Sequence, residues 1–305
     1  MHLHIPATII FFEFSRTAVS MCGAGLVLLA VGLLAARNDF GEATGFDKIV
    51  ALANLCFAVP LAVFGAEHIS GASFIKEAVP SYVPWHLFWA YFVGFALIAA
   101  ALSIATKIEA RWSGLLFGIM MFLFVATIHL PQALATHTRF AWVVVFREPS
   151  FAAGSWVLSA SAMDESHPRA RSTLIFVGRV ILGIVAIFFA VEQLLHPLGM
   201  PGVPLEKEMP AWIPGRMLIG YLTGAALLIG GLCFLLGRKA QEAATYLGSW
   251  LLLLVLVVYV PVMISVLADP STATKVEGIN YFADTLLFTG SILALASALR
   301  EPTRI

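Results

Sequence analysis

Residues Phe64–Leu102 read FGAEHISGASFIKEAVPSYVPWHLFWAYFVGFALIAAAL. An apolar helix runs into Glu67-His68, a loop bracketed by Pro80 and Pro84 follows, and a second apolar helix begins. The same order returns from Phe189 as FAVEQLLHPLGMPGVPLEKEMPAWIPGRMLIGYLTGAALLIGGL. Glu67 answers to Glu192, Pro80 and Pro84 to Pro210 and Pro214, and Tyr91 and Gly94 to Tyr221 and Gly224. A stretch that recurs in this way reads as an internal duplication, and the rest of the chain is organised around it.

Placing Pro80 on Pro210 carries the alignment without a gap through Gly118 on Gly248 and Pro131 on Pro261. The last helices then match as Gly154-Ser155 with Gly290-Ser291. Each unit has four helices, an even number, so both enter from the same side and the expected symmetry axis runs along the membrane normal. The division is 1–46 for an N-terminal helix and linker, 47–166 for the first four-helix unit, and 167–305 for the second.

Composition sets the class. Of 305 residues, 60% are hydrophobic and 12% charged, and the mean hydropathy is +0.92. A soluble core of this size cannot bury so much apolar surface, so the chain belongs in a membrane, with the lipid bilayer as its first partner. Net charge is zero and no long basic block occurs, which removes nucleic acid as a partner. Cys22, Cys56 and Cys233 stand apart inside apolar runs with no CxxC, the pattern of buried fillers rather than of thiol chemistry.

The first apolar run, Ala18–Ala36, follows Glu13 rather than a cationic start and ends at Arg37-Asn38-Asp39, so it reads as a retained helix and not a cleaved signal. Further spans are expected near Val50–Ala66, Leu87–Ala105, Gly114–Pro131, Phe140–Met163, Thr173–Val191, Met217–Leu236, Leu247–Leu267 and Tyr281–Leu299. The expectation is an all-α polytopic protein of nine transmembrane helices, in two tandem four-helix bundles plus one N-terminal helix. Arg37, Lys48, Lys107, Arg111, Arg238 and Arg300 fall on one side; Arg16, Lys76, Arg139, Lys207, Arg216 and Lys275 fall on the other. The positive-inside rule makes the first side cytoplasmic, with the C-terminus inside, the N-terminus outside and both proline loops facing out. Gly94, Gly114, Gly118, Gly220 and Gly224 are placed for close helix packing, and Tyr82, Trp85, Trp89 and Trp212 for interfacial anchoring.

Polar groups recur at the outer helix ends. The first unit has Glu67, His129 and Glu148, and the second has Glu192, Tyr259 and Asp284 at the aligned places. At ~1.5 Å per residue all six lie roughly 22–28 Å from the cytoplasmic ends, one polar layer per unit. A carboxylate at that depth needs water, a partner or a ligand, and Arg147-Glu148 would find natural compensation in an internal ion pair. The expectation is an outward-opening cleft in each unit, with Glu67, His68, His129, Glu148, Glu192, His196, Tyr259 and Asp284 as ligand-binding candidates. The alternative is that these groups simply reach the headgroup region and are solvated there.

Glu67, His68, His129 and Glu148 include the donor types of a carboxylate-imidazole metal set, but no HExxH occurs, and Glu192 with His196 is the one pair a helical turn apart. Haem would want facing histidines at matched depth, and the counterpart of His129 is Tyr259. His2 and His4 at the start are set aside. His86 and Arg216 align after the second loop proline, either as caps for an anion or as interfacial charges. No nucleophile–base pair, phosphate loop or cysteine motif singles out a reaction.

The stretch AEHI, then Phe74, VPSYVPWHL, Tyr91 and Gly94 resembles the DoxX-like family of four-helix membrane proteins, and MPAWIPGRM with Tyr221 and Gly224 looks like a more diverged copy. The resemblance covers about 50 to 299. It implies a bacterial plasma membrane and, through relatives linked to thiosulfate oxidation, a possible quinone ligand and partner redox subunits. Many members carry a Glu soon after the second-helix Gly, where this chain has Ala96-Leu97 and Ala226-Leu227. Three roles follow: an accessory, non-catalytic membrane subunit with a polar cleft, a component of a quinone-linked oxidoreductase, or a carrier for a small solute, lipid or ion.

Overall fold

The computed structural model describes residues 15–164 and 166–300; His2, His4 and Glu13 lie outside them. The described chain is an all-α polytopic membrane protein. Its long helices are α1 (Arg16–Glu42), α2 (Asp47–Ser70), α3 (His86–Thr106), α4 (Ala110–Thr136), α5 (Arg139–Ser161), α6 (Pro168–Leu195), α7 (Arg216–Leu236), α8 (Ala240–Leu267) and α9 (Thr272–Ala298). Eight of the nine are long and apolar enough to cross a membrane. The exception to the nine expected spans is α5, which carries Arg139, Arg147 and Glu148 and packs between other helices instead of facing lipid.

Hydropathy alone misplaces some helix starts. The last helix begins at Thr272 and not near Tyr281, because Ser271 caps it by accepting a hydrogen bond from the Thr274 N–H at 3.3 Å. Lys275 and Glu277 therefore lie within the helix rather than before it. Ser15 and Thr138 cap α1 and α5 in the same way.

Both α4 and α8 contain one widened, π-helical turn, Val125–His129 and Val255–Tyr259, just before Pro131 and Pro261. Proline has no N–H for the carbonyl four residues back and clashes with it, and a turn closed five residues apart relieves both. In α4 the carbonyl left free is that of Thr127, which accepts from the Tyr82 hydroxyl at 3.3 Å. Left-handed residues fall at matching places as well: Trp85 and Gly215, Lys107 and Gly237, Glu109 and Lys239 share one constant offset.

The helices form a closed ring. Around it α2 packs on α3, α3 on α4, α4 on α5, α5 on α6, α6 on α7, α7 on α8, α8 on α9 and α9 back on α2. The ring is bridged across its middle by α5 against α9, and α1 leans on α2, α3 and α9 from outside. Helices α2–α5 and α6–α9 therefore close into one ring. The apolar core follows this plan, with Phe57 edge-on to Phe117 at 5.7 Å and Phe189 edge-on to Phe288 at 5.4 Å. Leu26, Phe95, Leu116, Leu222 and Leu256 face outward as lipid-exposed surface.

Glycine sets the closest approaches, as expected where no hydrophobic drive separates helix from lipid. Gly65 and Gly94 bring α2 and α3 together, and Gly183 and Gly231 do the same for α6 and α7. Gly290 of α9 lies against backbone: a Cβ there would stand 2.5 Å from the Phe57 nitrogen. Backbone cannot step aside, so Gly290→Val is expected to destabilise the protein by about 1–3 kcal/mol or more. Gly23→Val, whose Cβ meets nothing within 4 Å, should leave thermal unfolding in detergent unchanged.

Candidate ligand-binding site

α5 and α9 meet through charge. The Arg147 guanidinium donates to Glu148 Oε1 from Nη2 at 2.7 Å and from Nε at 3.1 Å, and to Asp284 Oδ2 from Nη1 at 2.6 Å. Both carboxylates are buried, so the planar fork of Arg147 supplies what water cannot. The face of Phe151 lies 5.9 Å from the guanidinium carbon and closes the side of the cluster. The expected internal pair of Arg147 with Glu148 is present, but Asp284 joins it. The polar groups of the two halves thus form one cluster where the sequence suggested separate layers.

One turn nearer the helix start, Asn280 of α9 donates through Nδ2 to Glu67 Oε1 of α2 at 3.0 Å. Glu67 is 8% exposed. α9 therefore collects the carboxylate of α2 and the guanidinium of α5 on neighbouring turns.

Between these helices lies a cavity of about 870 Å³. Glu67, Arg147, Asn280 and Asp284 line its deep part, Phe140, Leu205, Val276 and Tyr281 its walls, and Thr17, Phe74, Glu206 and Thr272 its mouth. Twelve residues of α9 separate Thr272 from Asp284, about 18 Å at ~1.5 Å per residue, so Asp284 lies well below the start of α9, whereas Glu67 comes from the last turn of α2. The mouth is at the end of the protein where α2 stops and α5 and α9 start.

The second expected cleft is filled. Pro80 follows Glu67 by 13 positions, whereas Pro210 follows Glu192 by 18, and the longer loop folds inward. Met200, Val203, Leu205 and Met209 are buried in it. Tyr259 serves this plug, donating its hydroxyl to the Pro201 carbonyl at 2.8 Å. Gln193 donates to the Gly199 carbonyl at 3.3 Å and accepts from the Gly202 N–H at 3.2 Å, while the Lys207 N–H donates to the Tyr281 hydroxyl at 3.0 Å. The first loop stays outside, with Phe74, Tyr82 and Trp85 exposed.

The remaining candidates are dispersed. Glu192 pairs with Arg139 between α5 and α6, and Arg139 also donates to the Pro204 carbonyl at 3.3 Å. His196 is exposed at the end of α6, where its backbone N–H caps the helix. His68 places Nδ1 2.8 Å from the Phe64 carbonyl one turn back. His129 is half-buried in its widened turn, within electrostatic reach of Glu148 and Arg147. Among the described residues no three His, Cys, Asp or Glu side chains are grouped to hold a metal ion, so Glu67, His68, His129 and Glu148 do not form a ligand set. Sequence reasoning missed Asn280 and Tyr281, whose only signal was their place on the same helical face as Asp284. It also missed the plug, legible as the longer second loop.

No family model, curated protein or solved structure matches the chain.

Removing one member of a buried ion cluster leaves uncompensated charge, which costs about 3–5 kcal/mol. Arg147→Met is therefore expected to lose that much stability in chemical unfolding. Arg147→Met/Glu148→Gln/Asp284→Asn, which removes the charge from all three, should recover most of it. A triple variant as unstable as the single one would show that packing, not charge, holds α5 to α9.

Proposed function

We propose that the protein is a DoxX-like integral membrane protein whose role is to bind one small molecule in the cavity between its halves, as an accessory binding subunit. The chain is read as two tandem units, 47–166 and 167–305, behind an N-terminal helix. The left-handed residues and widened turns at one constant offset support that duplication. In a bacterial plasma membrane, Lys107 and Arg300, which pair with Asp39 and Asp47 at the end opposite the cavity, would lie in the cytoplasm. The cavity would then open outward, with the N-terminus outside and the C-terminus inside.

One observation carries the binding role: a cavity of about 870 Å³, within the range of small-molecule sites, has apolar walls and a few convergent polar groups at its base. The Arg147 part of its floor is satisfied without a ligand, since Arg147 is held by Glu148 and Asp284. Such a floor is a preformed surface and needs no folding on capture. The two halves have diverged under this reading. One keeps an open cleft, and the other contributes Asp284 and a plug.

The test is mass spectrometry of the protein gently extracted from its own membrane, with small molecules quantified per chain. A stoichiometric compound is expected with the wild type and with Glu192→Gln, whose carboxylate lies outside the cavity. It should be lost from Ala273→Trp, which fills the cavity from α9, and depleted in Glu67→Gln. Equal occupancy in all four proteins would sink the proposed site.

A further inference from the structure

We propose that the molecule bound in this cavity is an organic cation, a protonated amine or related nitrogen centre on an apolar body; this rests on the binding role above. The charge of the lining is one-sided. Among the described residues Glu67, Glu206, Glu277 and Asp284 face the cavity, against Arg147 as the one cationic side chain lining it. Arg147 is already answered by Glu148 and Asp284, and Glu277 is answered from the rim by Lys207. Among the described residues Glu67 and Glu206 take part in no ion pair. One acid thus sits deep in the cavity and the other at its mouth, both available to a positive charge.

The hydrogen-bonding groups agree. Asn280 spends its N–H on Glu67, which fixes the orientation of its amide and holds the Glu67 carboxylate in place, while its own Oδ1 is buried away from the cavity. The carboxylates of Glu67 and Glu206 are acceptors only, and an ammonium group carries donors only. A quinone head, by contrast, accepts hydrogen bonds and finds mainly other acceptors here, so the lining does not fit the quinone that the family resemblance implies. A bare metal ion would want several oxygen ligands gathered around one point, and no such group exists among the described residues.

Phe140, Leu205, Val276 and Tyr281 supply the apolar part of the fit. Carbon surface against these walls fixes the body of the ligand. A cationic head entering from the mouth would meet Glu206 first and Glu67 at the base. This sequence of charges would draw in amines and turn away anions.

Three probes with one skeleton test the inference: phenylbutylamine, phenylbutanol and phenylbutanoate, titrated calorimetrically against the full chain in zwitterionic lipid discs, with empty discs subtracted. Saturable one-site binding is expected for the amine alone. Glu67→Gln should weaken it by about tenfold or more, the usual scale for removing a buried charge partner. Glu206→Gln, at an exposed position where folding is not at risk, should weaken it by a smaller factor. Equal binding of the amine and the alcohol, tighter binding of the carboxylate, or amine binding indifferent to both variants would overturn the cationic assignment while leaving the cavity as a binding site. Absence of saturable binding for all three probes, together with no effect of Ala273→Trp on the compound carried from the native membrane, would overturn both readings.

Discussion

The bridge from Arg147 to Glu148 and Asp284 is the constraint on which the rest of the arrangement depends. Three ionisable groups inside a ring of apolar helices are tolerated only when each has its partner, and the partners sit on two helices from different halves of the chain. Satisfying them holds α5 beside α9 at one height and one rotation. α2 and α6 then follow, because α9 packs on α2 and α5 packs on α6. A protein that might have been two bundles tethered by a loop is instead one body, closed across its own midline.

That closure also explains why the least apolar helices are the most enclosed. α9 carries Lys275, Glu277, Asn280 and Asp284 and is nonetheless buried along most of its length from Tyr281 onward, whereas the strongly apolar α1, α4 and α8 present much of their surface outward. In lipid the outer face costs nothing to leave apolar, while a polar group is stable only where protein surrounds it. The polar helices accordingly lie in the middle, and the cavity lies beside them at the end where they start.

The two halves differ mainly in their loops. In the first, the loop stays at the rim with aromatic residues exposed; in the second, a longer loop buries Met200, Val203 and Leu205. Residues that align by repeat therefore do different work. Glu67 faces the cavity and meets Asn280, whereas Glu192 is committed to Arg139; His129 lies half-buried, whereas Tyr259 is tied to the plug. The second loop has five positions more between its Glu and its first aligned Pro, and the folded-in part of it closes the space that the shorter loop leaves open.

Read without the structure, the chain already declares much of itself. Its apolar runs give the membrane class and the long helices, its prolines and glycines mark turns and close packing, and Glu67, Glu148 and Asp284 stand out as charges in apolar surroundings. Those signals are local, set by hydropathy, by the missing N–H of proline and by the missing Cβ of glycine. Partnership was not legible. In a helix that is apolar on every side, periodicity does not say which face turns inward, because lipid and protein core are equally apolar. That Asp284 shares a guanidinium with Glu148, that Asn280 orients Glu67, and that one cleft is open and the other plugged depend on how helices rotate and cross. Only the tertiary structure decides that, because pairing buried charge is a condition on several helices at once.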